Sequence, residues 1–292
     1  MSFDDLPAQP AMILPGANEY ADYVLARSKK VAAASRTVMD VAYGEDYWQK
    51  VDFYLPDDTG ARDLPVFCMI HGGAFRAGYK EWMGFQAPPI VSLPAVYVSI
   101  SYRLAPTAKF PAIAEDCFEA LRLVYERVVE HGGDPDRIFV GGHSAGAHLA
   151  ALLALRRDWC EARGMPADVV KGCFPVSGIY DLEQENIVPG SVLERTFPEI
   201  FADPSDAPGC SPIAHVDGNT TPFFVTWGSE DLPDLIESSK AFVAALRRQP
   251  CVVETHVWDG YGHFEANITL EKADDPWVVK LREWLAAPPH AA

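Results

Sequence analysis

The stretch FVGGHSAGAHLAALL, residues 139–153, places a serine between two glycines where an apolar run changes from strand spacing to helix spacing. Residues 142–146 fit the pattern G-x-S-x-G, with Ser144 at its centre. Small flanking residues allow a sharp turn from strand to helix, and such a turn holds a serine hydroxyl above the edge of a sheet. The same residues also suit a plain helix start capped by Ser144. Catalytic partners elsewhere in the chain would decide between these two interpretations.

Segments rich in β-branched and aromatic residues alternate with helical segments along the chain. This alternation predicts an α/β fold, with a mostly parallel eight-stranded sheet and helices on both of its faces. The strand segments are TVMDVAY, KVDFYLP, LPVFCMIH, AVYVSISY, RIFVGG, VKGCFPVSG, PFFVTWG and CVVETHVW. Apolar spacing and end signals predict helices at residues 17–36, 110–133, 144–156, 234–248 and 275–287.

The length of 292 residues suits one α/β domain with insertions. We therefore predict a single domain over residues 1–292, with cap elements from about 1–35 and 180–215. The second of these segments is rich in proline and acidic residues and breaks the strand and helix alternation. We expect it to lie over the C-terminal edge of the sheet, where α/β folds place their binding crevices.

A serine hydroxyl becomes a nucleophile when a base lies within hydrogen-bond reach and a carboxylate orients that base. Asp231 follows the strand segment PFFVTWG, and His263 follows the next one, CVVETHVW. Both residues come after Ser144 in the order serine, acid, histidine, which is typical of a nucleophile at this kind of turn. We predict Ser144, Asp231 and His263 as the catalytic residues.

Neighbouring residues supply alternatives to two of these assignments. Glu230 and Asp234 flank Asp231, and either is also suited to the surface or to the start of the following helix; Asp231 is favoured by its position after the strand. Three further histidines are expected to be structural. They are His256, inside a strand segment, and His143 and His148, next to the serine and one helical turn beyond it.

Acyl transfer also requires hydrogen-bond donors aimed at the oxygen that becomes negative in the tetrahedral intermediate. The segment MIHGGAF follows the third strand segment, and its glycines let the backbone approach a substrate closely. We predict an oxyanion hole from the backbone of Gly72, Gly73, Ala74 and Ala145. His71, at the start of this turn, is expected to brace the loop.

Charge and cysteine usage limit the partners. The 24 basic and 41 acidic residues give a formal net charge of -17, which repels nucleic acid and anionic membrane surfaces, so neither is expected as a partner. The six cysteines form no CxxC pair and most stand in apolar segments, so we expect reduced thiols rather than disulfides or a zinc site. The N-terminal residues lack the pattern of a secretory signal, so the cytoplasm is the expected location.

The motifs HGGAF, SYRLAP and GHSAGA, together with the loops that contain Asp231 and His263, span roughly residues 65–265. In this combination the chain resembles the serine α/β-hydrolases of the hormone-sensitive-lipase branch. The resemblance implies an α/β-hydrolase fold, Ser144 as nucleophile, His263 as base and Asp231 as acid. It also implies a cap built from the N-terminal helix and the insertion.

The chain is also similar to the kynurenine formamidase (arylformamidase) group. The segments that carry this similarity are VAYGEDYWQKVDFYLP, GHSAGAHLAALL, FPVSGIYDLE, GSEDLP and GHFE. Phe75 departs from that group's pattern, which has tryptophan after HGG and one further residue, and SYRLAP is typical of carboxylesterases. The resemblance therefore leaves open whether an N-formyl aryl amide or a general carboxylic ester is the substrate.

We expect a serine hydrolase that acts on a small ester or amide without metal or cofactor, with a homodimer as a possible assembly. Aromatic residues near the motifs are candidates for the substrate pocket: Phe75, Tyr79, Trp82, Phe85 and Tyr180. Two other interpretations use the same scaffold. A binding protein would have lost the chemistry, whereas all the required residue types are present here, and an acyltransferase would use the same residues with an alcohol in place of water.

Overall fold

A twisted eight-stranded sheet forms the centre of the molecule. This computed structural model describes residue 3 and residues 5–289. The strands are β1 (Arg36–Ala42), β2 (Lys50–Leu55), β3 (Leu64–Ile70), β4 (Val96–Ile100), β5 (Gly133–His143), β6 (Val170–Val176), β7 (Phe223–Gly228) and β8 (Val253–Trp258). They lie in the order β1-β2-β4-β3-β5-β6-β7-β8, in which β2 is antiparallel to both of its neighbours and all other pairs are parallel. The predicted mostly parallel sheet is confirmed.

The helices follow the predicted alternation, with several short ones added. They are α1 (Ala17–Ala34), α2 (Ala87–Val91), α3 (Ala112–Arg127), α4 (Ala145–Leu155), α5 (Arg157–Glu161), α6 (Val192–Ile200), α7 (Ala207–Cys210), α8 (Pro233–Leu246), α9 (Glu265–Ile268) and α10 (Pro276–Ala286). The five predicted helices correspond to α1, α3, α4, α8 and α10. α3 is shorter than predicted, because the chain tightens into a 3-10 turn at Val128–His131 before Gly132 adopts a positive φ of 85°.

The central strand β3 is apolar on both faces because helices cover the sheet on both sides. In β3, Val66, Cys68 and Ile70 belong to one hydrophobic cluster, whereas Phe67 and Met69 belong to the other. All of these side chains are buried. Successive side chains of a strand point to opposite faces, so a strand covered on both sides is apolar throughout rather than alternating.

The two clusters contain different helices. The first holds side chains of α3, α4 and α8, and the second holds those of α1 and α10. In the second, Trp277 of α10 is fully buried and packs edge-on against Phe67 at a ring-centroid distance of 5.4 Å. Tyr20 and Val24 of α1 lie in the same cluster. The N-terminal helix is therefore part of the core.

The segment 180–215 contains α6, which the sequence analysis did not predict. Pro198 lies inside this helix, and proline there argues against a helix because it removes a backbone donor. A start signal was nevertheless present: Ser191 Oγ accepts a hydrogen bond from the Glu194 N–H at 3.1 Å, and Glu194 Oε2 accepts one from Gly190 N–H at 2.7 Å. Buried residues at helical spacing, Leu193, Phe197 and Ile200, attach the helix to the body of the protein.

All six cysteines are free thiols, and five of them are buried. Among the described residues, no helix combines the length and the apolar character needed to cross a membrane. That same part of the chain holds no group of three or more His, Cys, Asp or Glu side chains suited to a metal ion.

Three buried histidines make the stability of the fold sensitive to acid. Burial lowers the pKa of His71 and of His148 to about 4, outweighing their hydrogen bonds to backbone carbonyls, and burial together with the nearby charge of His263 lowers the pKa of His143. These rings are neutral in the folded state and take up protons on unfolding below about pH 6.5. Asp52 acts in the opposite direction, because burial raises its pKa.

We expect the free energy of unfolding to fall as the pH is lowered from 7 to about 4.5. Histidines with a lowered pKa stabilise the fold above pH ~6.5, and that contribution is lost toward their folded-state pKa at about 1.4 kcal/mol per pH unit for each proton taken up. The opposite effect of Asp52 is smaller, because three histidines and only one such carboxyl group contribute to the change in unfolding free energy. Urea titrations at pH 7, 6 and 5 measure the slope. A free energy that stays constant or rises toward pH 5 would show that these rings are not buried and neutral.

Candidate active site

Ser144 occupies the corner between β5, which ends at His143, and α4, which begins at Ala145. Its backbone has φ 57° and ψ -119°, a conformation that residues other than glycine rarely adopt. The Ser144 N–H donates a hydrogen bond to Val176 O at 2.9 Å, which ties the corner to the neighbouring strand β6. The Ser144 hydroxyl caps no N–H of α4. The alternative of a plain capped helix start is therefore wrong.

The two glycines around Ser144 are required by close backbone contacts. A Cβ atom at position 142 would lie 2.1 Å from Gly146 O, and a Cβ atom at position 146 would lie 2.1 Å from Ile70 O. Real Cβ atoms do not approach backbone oxygens so closely. The G-x-S-x-G spacing therefore lets α4 begin directly against the end of β3.

The turn after β3 brings the predicted oxyanion loop against Ser144. A Cβ atom at Gly72 would lie 2.8 Å from His143 O and 3.1 Å from Ser144 Cβ, so only glycine fits there. Gly73 has φ 118°, and Ala74 follows with φ 54°. No hydrogen bond joins the N–H of Gly73 or Ala74 to another described residue. These two donors are available to a substrate oxygen.

Ala145 adds a third donor next to this loop. It is the first residue of α4, and the N–H groups of a first helical turn have no acceptor within the helix. Gly72, Gly73, Ala74 and Ala145 all line one cavity together with Ser144 and His263. The structure thus brings together every residue predicted for the oxyanion hole.

His71 braces the loop. Its ring is fully buried and stacks on Tyr102 at a centroid distance of 4.4 Å. Its Nδ1 lies 2.7 Å from Gly72 O, and the Tyr102 hydroxyl donates a hydrogen bond to His71 O. Burial lowers the pKa of His71 to about 4. The ring is therefore neutral near pH 7 and positioned to support the loop, in line with the expectation from sequence.

The loops after β7 and β8 bring Asp231 and His263 into contact. Asp231 Oδ1 lies 2.8 Å from His263 Nδ1, and the residues are 5% and 8% exposed. The contact leaves Nε2 as the ring nitrogen available for Ser144, whose side chain lines the same cavity. Within the described residues no hydrogen bond joins Ser144 Oγ to this ring. Such contacts commonly shorten only when substrate binds.

The carboxylate of Asp231 is held in its charged form. Burial raises the pKa of Asp231, but the hydrogen bond and charge of His263, with smaller contributions from Ser177 and the Leu232 N–H, lower it below the ordinary value. Leu232 N–H donates to Asp231 Oδ1 at 2.7 Å. The buried Oδ2 has no hydrogen bond of regular geometry, nor has the Ser177 hydroxyl. Ser177, which has φ 54° directly after β6, is a neighbour of the acid that the sequence analysis missed.

The two loops are locked side by side by backbone contacts. Glu230 N–H donates to Tyr261 O at 2.9 Å, and a Cβ atom at Gly228 would lie 2.1 Å from the same oxygen. His143 Nε2 lies 2.9 Å from His263 O, and the two imidazole rings are 4.5 Å apart. Because burial lowers the pKa of His143, its neutral ring donates this hydrogen bond without adding a charge beside His263.

The competing residues take other positions. Glu230 is exposed, and Asp234 lies in the first turn of α8, where an acidic side chain favours the helix dipole. His256 is a partly buried residue of β8 beside Trp258. Both ring nitrogens of His148 lie 2.7 Å from backbone carbonyls, those of Ile179 and Cys210. Asp234 lines the cavity beside Ser144, but none of these four side chains forms a hydrogen bond with the His263 ring.

The cavity beside Ser144 lies between the sheet edge and both predicted cap segments. Its walls are mainly apolar. The N-terminal segment contributes residues 10–14, Ala17 and Tyr20, and the insertion contributes Val192, Leu193 and Thr196 of α6. Leu232 and Leu235 complete the wall on the side of α8. The predicted cap segments therefore meet at the cavity, apart from residues 1, 2 and 4, which fall outside the described part of the chain.

The prediction for the aromatic lining needs correction at three positions. Phe75 and Trp82 lie on the cavity wall, whereas Tyr79, Phe85 and Tyr180 do not. Tyr79 stacks on Trp48 and its hydroxyl donates to Pro7 O. Phe85 belongs to the hydrophobic cluster that contains side chains of α1 and α10. Tyr180 stacks on Phe242 with ring centroids 4.1 Å apart. Nearness in sequence to the motifs was a poor guide here, because these three side chains pack into the core or against other aromatic rings.

We expect Asp231→Asn to be far more damaging to turnover than Asp234→Asn. Asparagine at position 231 would stabilise the wrong tautomer of His263, a change that costs on the order of 10⁴ in kcat in a comparable serine enzyme. Asp234 lines the same cavity but forms no hydrogen bond with that ring. Steady-state turnover of an activated acetate ester by both variants measures the difference. A larger loss in the Asp234 variant would reassign the acid.

The sequence is similar to those of a kynurenine formamidase and of an esterase. It is 35% identical to the kynurenine formamidase of Danio rerio over 156 residues, 53% of this chain and 50% of that protein. It is 36% identical to esterase LipQ of Mycobacterium tuberculosis over 230 residues, 71% of this chain and 52% of that protein. The chain spans about half the length of these curated relatives.

The fold resembles that of the Pyrobaculum calidifontis esterase, with a TM-score of 0.75, 23% identity, and coverage of 93% of this chain and 92% of the other. This likeness and the strand order confirm the predicted α/β-hydrolase fold. A family model described as BD-FAE matches residues 51–246, which include Ser144, Asp231 and the oxyanion loop. The chain therefore belongs to the BD-FAE family.

Proposed function

We propose that the chain is a serine hydrolase that cleaves a small ester or an N-formyl aryl amide through an acyl-serine intermediate. The observation that carries this proposal is the buried 2.8 Å contact between Asp231 and His263 in the cavity that Ser144 lines. It supplies an oriented base in the same cavity as a hydroxyl at a strained, half-buried corner. The unpaired N–H groups of Gly73 and Ala74 support the proposal as donors for an oxyanion.

The reaction proceeds in two halves. His263 Nε2 takes the proton of Ser144 as Oγ bonds to the substrate carbonyl carbon, and the carbonyl oxygen becomes negative toward the N–H groups of Gly73, Ala74 and Ala145. The protonated ring then gives its proton to the leaving nitrogen or oxygen as that bond breaks. Water then gives a proton to the same ring and attacks the acyl carbon. The bond from that carbon to Ser144 Oγ breaks, Oγ receives the proton from His263, and formate or another carboxylic acid is released. Asp231 keeps its negative charge throughout and stabilises the imidazolium.

Two substrate classes compete for this machinery. The similarity to a kynurenine formamidase supports an N-formyl aryl amide, whose small acyl group needs little space and whose aniline leaving group departs more easily than an ordinary amine. Phe75 and Trp82 offer aromatic surfaces to such a leaving group. The apolar wall from residues 10–14 and α6, with the longer match to an esterase, supports a general carboxylesterase as the second candidate.

We expect N-formylkynurenine to be hydrolysed to formate and kynurenine with a higher kcat/KM than that for butyrate esters. The ratio of the two kcat/KM values reports which transition state the site stabilises better. The Ser144→Ala variant serves as the matched control and should lose both activities, leaving at most the ~10³ to 10⁴-fold effect of binding and the oxyanion donors.

The substrate preference and the serine mechanism would be contradicted by different results. A clear preference for butyrate esters without release of formate would favour the carboxylesterase and leave the catalytic residues unchanged. Full activity of the Ser144→Ala variant on either substrate would overturn the serine mechanism itself.

A further inference from the structure

The mainly apolar cavity beside Ser144 includes one arginine. Among the described residues that line it, Arg76 is the one lysine or arginine. It comes directly after Phe75, in the loop that carries the unpaired N–H groups, and its own N–H donates to Gly73 O at 3.0 Å. Its side chain is 20% exposed. This cation therefore lies in the wall of the same cavity as Ser144 and His263 and is partly shielded from water.

Only one of the three guanidinium nitrogens of Arg76 has a hydrogen-bond partner among the described residues. Its Nε donates to Glu199 Oε2 of α6 at 2.6 Å. Neither Nη1 nor Nη2 donates a hydrogen bond to any described residue. A guanidinium offers its donors as a planar fork that matches a carboxylate. The contact with Glu199 therefore holds the guanidinium in place and leaves its outer edge, formed by Nη1 and Nη2, without a hydrogen-bond acceptor among the described residues.

We propose that this outer edge of Arg76 binds a carboxylate on the substrate, so that the cavity selects esters or amides with an anionic group beyond the reacting carbonyl. This inference rests on the proposed hydrolase function and narrows its substrate class. A chain with a formal net charge of -17 repels anions on average, so an anionic substrate needs a local cation at the site. The carboxylate of an N-formylated aromatic amino acid fits this class.

A purely structural function of the ion pair is the competing explanation, since it also links the oxyanion loop to α6. The two explanations differ in which substrates they affect. Loss of a structural link impairs neutral and anionic substrates alike. Loss of a carboxylate site impairs the anionic substrate selectively, and a hydrogen bond to a charged group contributes about 1.5–3 kcal/mol.

The test compares two pairs of substrates that differ only in one carboxylate. The first pair is mono-4-nitrophenyl adipate and its methyl ester, with the charge on the acyl side. The second is 4-acetoxyphenylacetate and its methyl ester, with the charge on the leaving group. For at least one pair, Arg76→Gln should raise KM for the anionic member about tenfold to a hundredfold and change that for the neutral member less than about threefold.

Two further variants separate local from general effects. Arg127→Gln removes the same charge from the exposed end of α3, outside the cavity, and should alter neither pair. Glu199→Gln removes the competing carboxylate and should not weaken the anionic substrates as Arg76→Gln does. Circular dichroism and turnover of the neutral esters establish that each variant is folded.

Equal losses for the anionic and neutral members, or no selective loss in either pair, would overturn the carboxylate site. That result would leave the hydrolase proposal standing, because the neutral esters are still turned over. Absence of turnover of all four esters by the unmodified protein would instead contradict the proposed function.

Discussion

A Cβ atom at Gly146 would lie 2.1 Å from the carbonyl oxygen of Ile70, and this close approach controls the arrangement of the site. It sets the start of α4 against the end of β3, so the serine corner and the loop that follows β3 meet at one sheet edge. Gly72 fits against Ser144 for the same reason, since a Cβ atom there would lie 2.8 Å from His143 O. The hydroxyl and the unpaired backbone donors are therefore adjacent before any substrate binds, which is the preorganisation that acyl transfer requires.

Burial then determines which groups carry charge. His71 starts the loop after β3 and His143 ends β5, and burial lowers the pKa of both rings, so neither competes with His263 as a cation. Asp231 is also buried, yet its contact with His263 lowers its pKa. The Asp231 carboxylate thus faces the His263 imidazole, and the nearby His71 and His143 rings add no charge. In such an environment the attraction between Asp231 and a protonated His263 is stronger than it would be in water.

Local patterns in the sequence were sufficient for the sheet, the main helices and the residues at the ends of β3, β5, β7 and β8. Strand ends in a parallel sheet share one edge, so Ser144, Asp231 and His263 could be brought together without knowledge of side-chain contacts. The cavity walls were harder to predict. Tyr180 and Phe85 stand near the motifs but face the core, and α6 was hidden by Pro198 although Ser191 and Glu194 mark its start. Ser177 lies beside Asp231, and Arg76 beside Glu199, only through contacts between residues distant in sequence.

Covalent labelling can show whether Ser144 is the hydroxyl that His263 activates. Treatment with diethyl 4-nitrophenyl phosphate followed by peptide mass spectrometry should find one diethylphosphoryl group on the peptide that contains Ser144. His263→Ala, which removes the base, should slow this labelling by orders of magnitude in a folded protein. A phosphoryl group on another residue would show that Ser144 is not the nucleophile, and equal labelling rates with and without His263 would show that His263 is not its base.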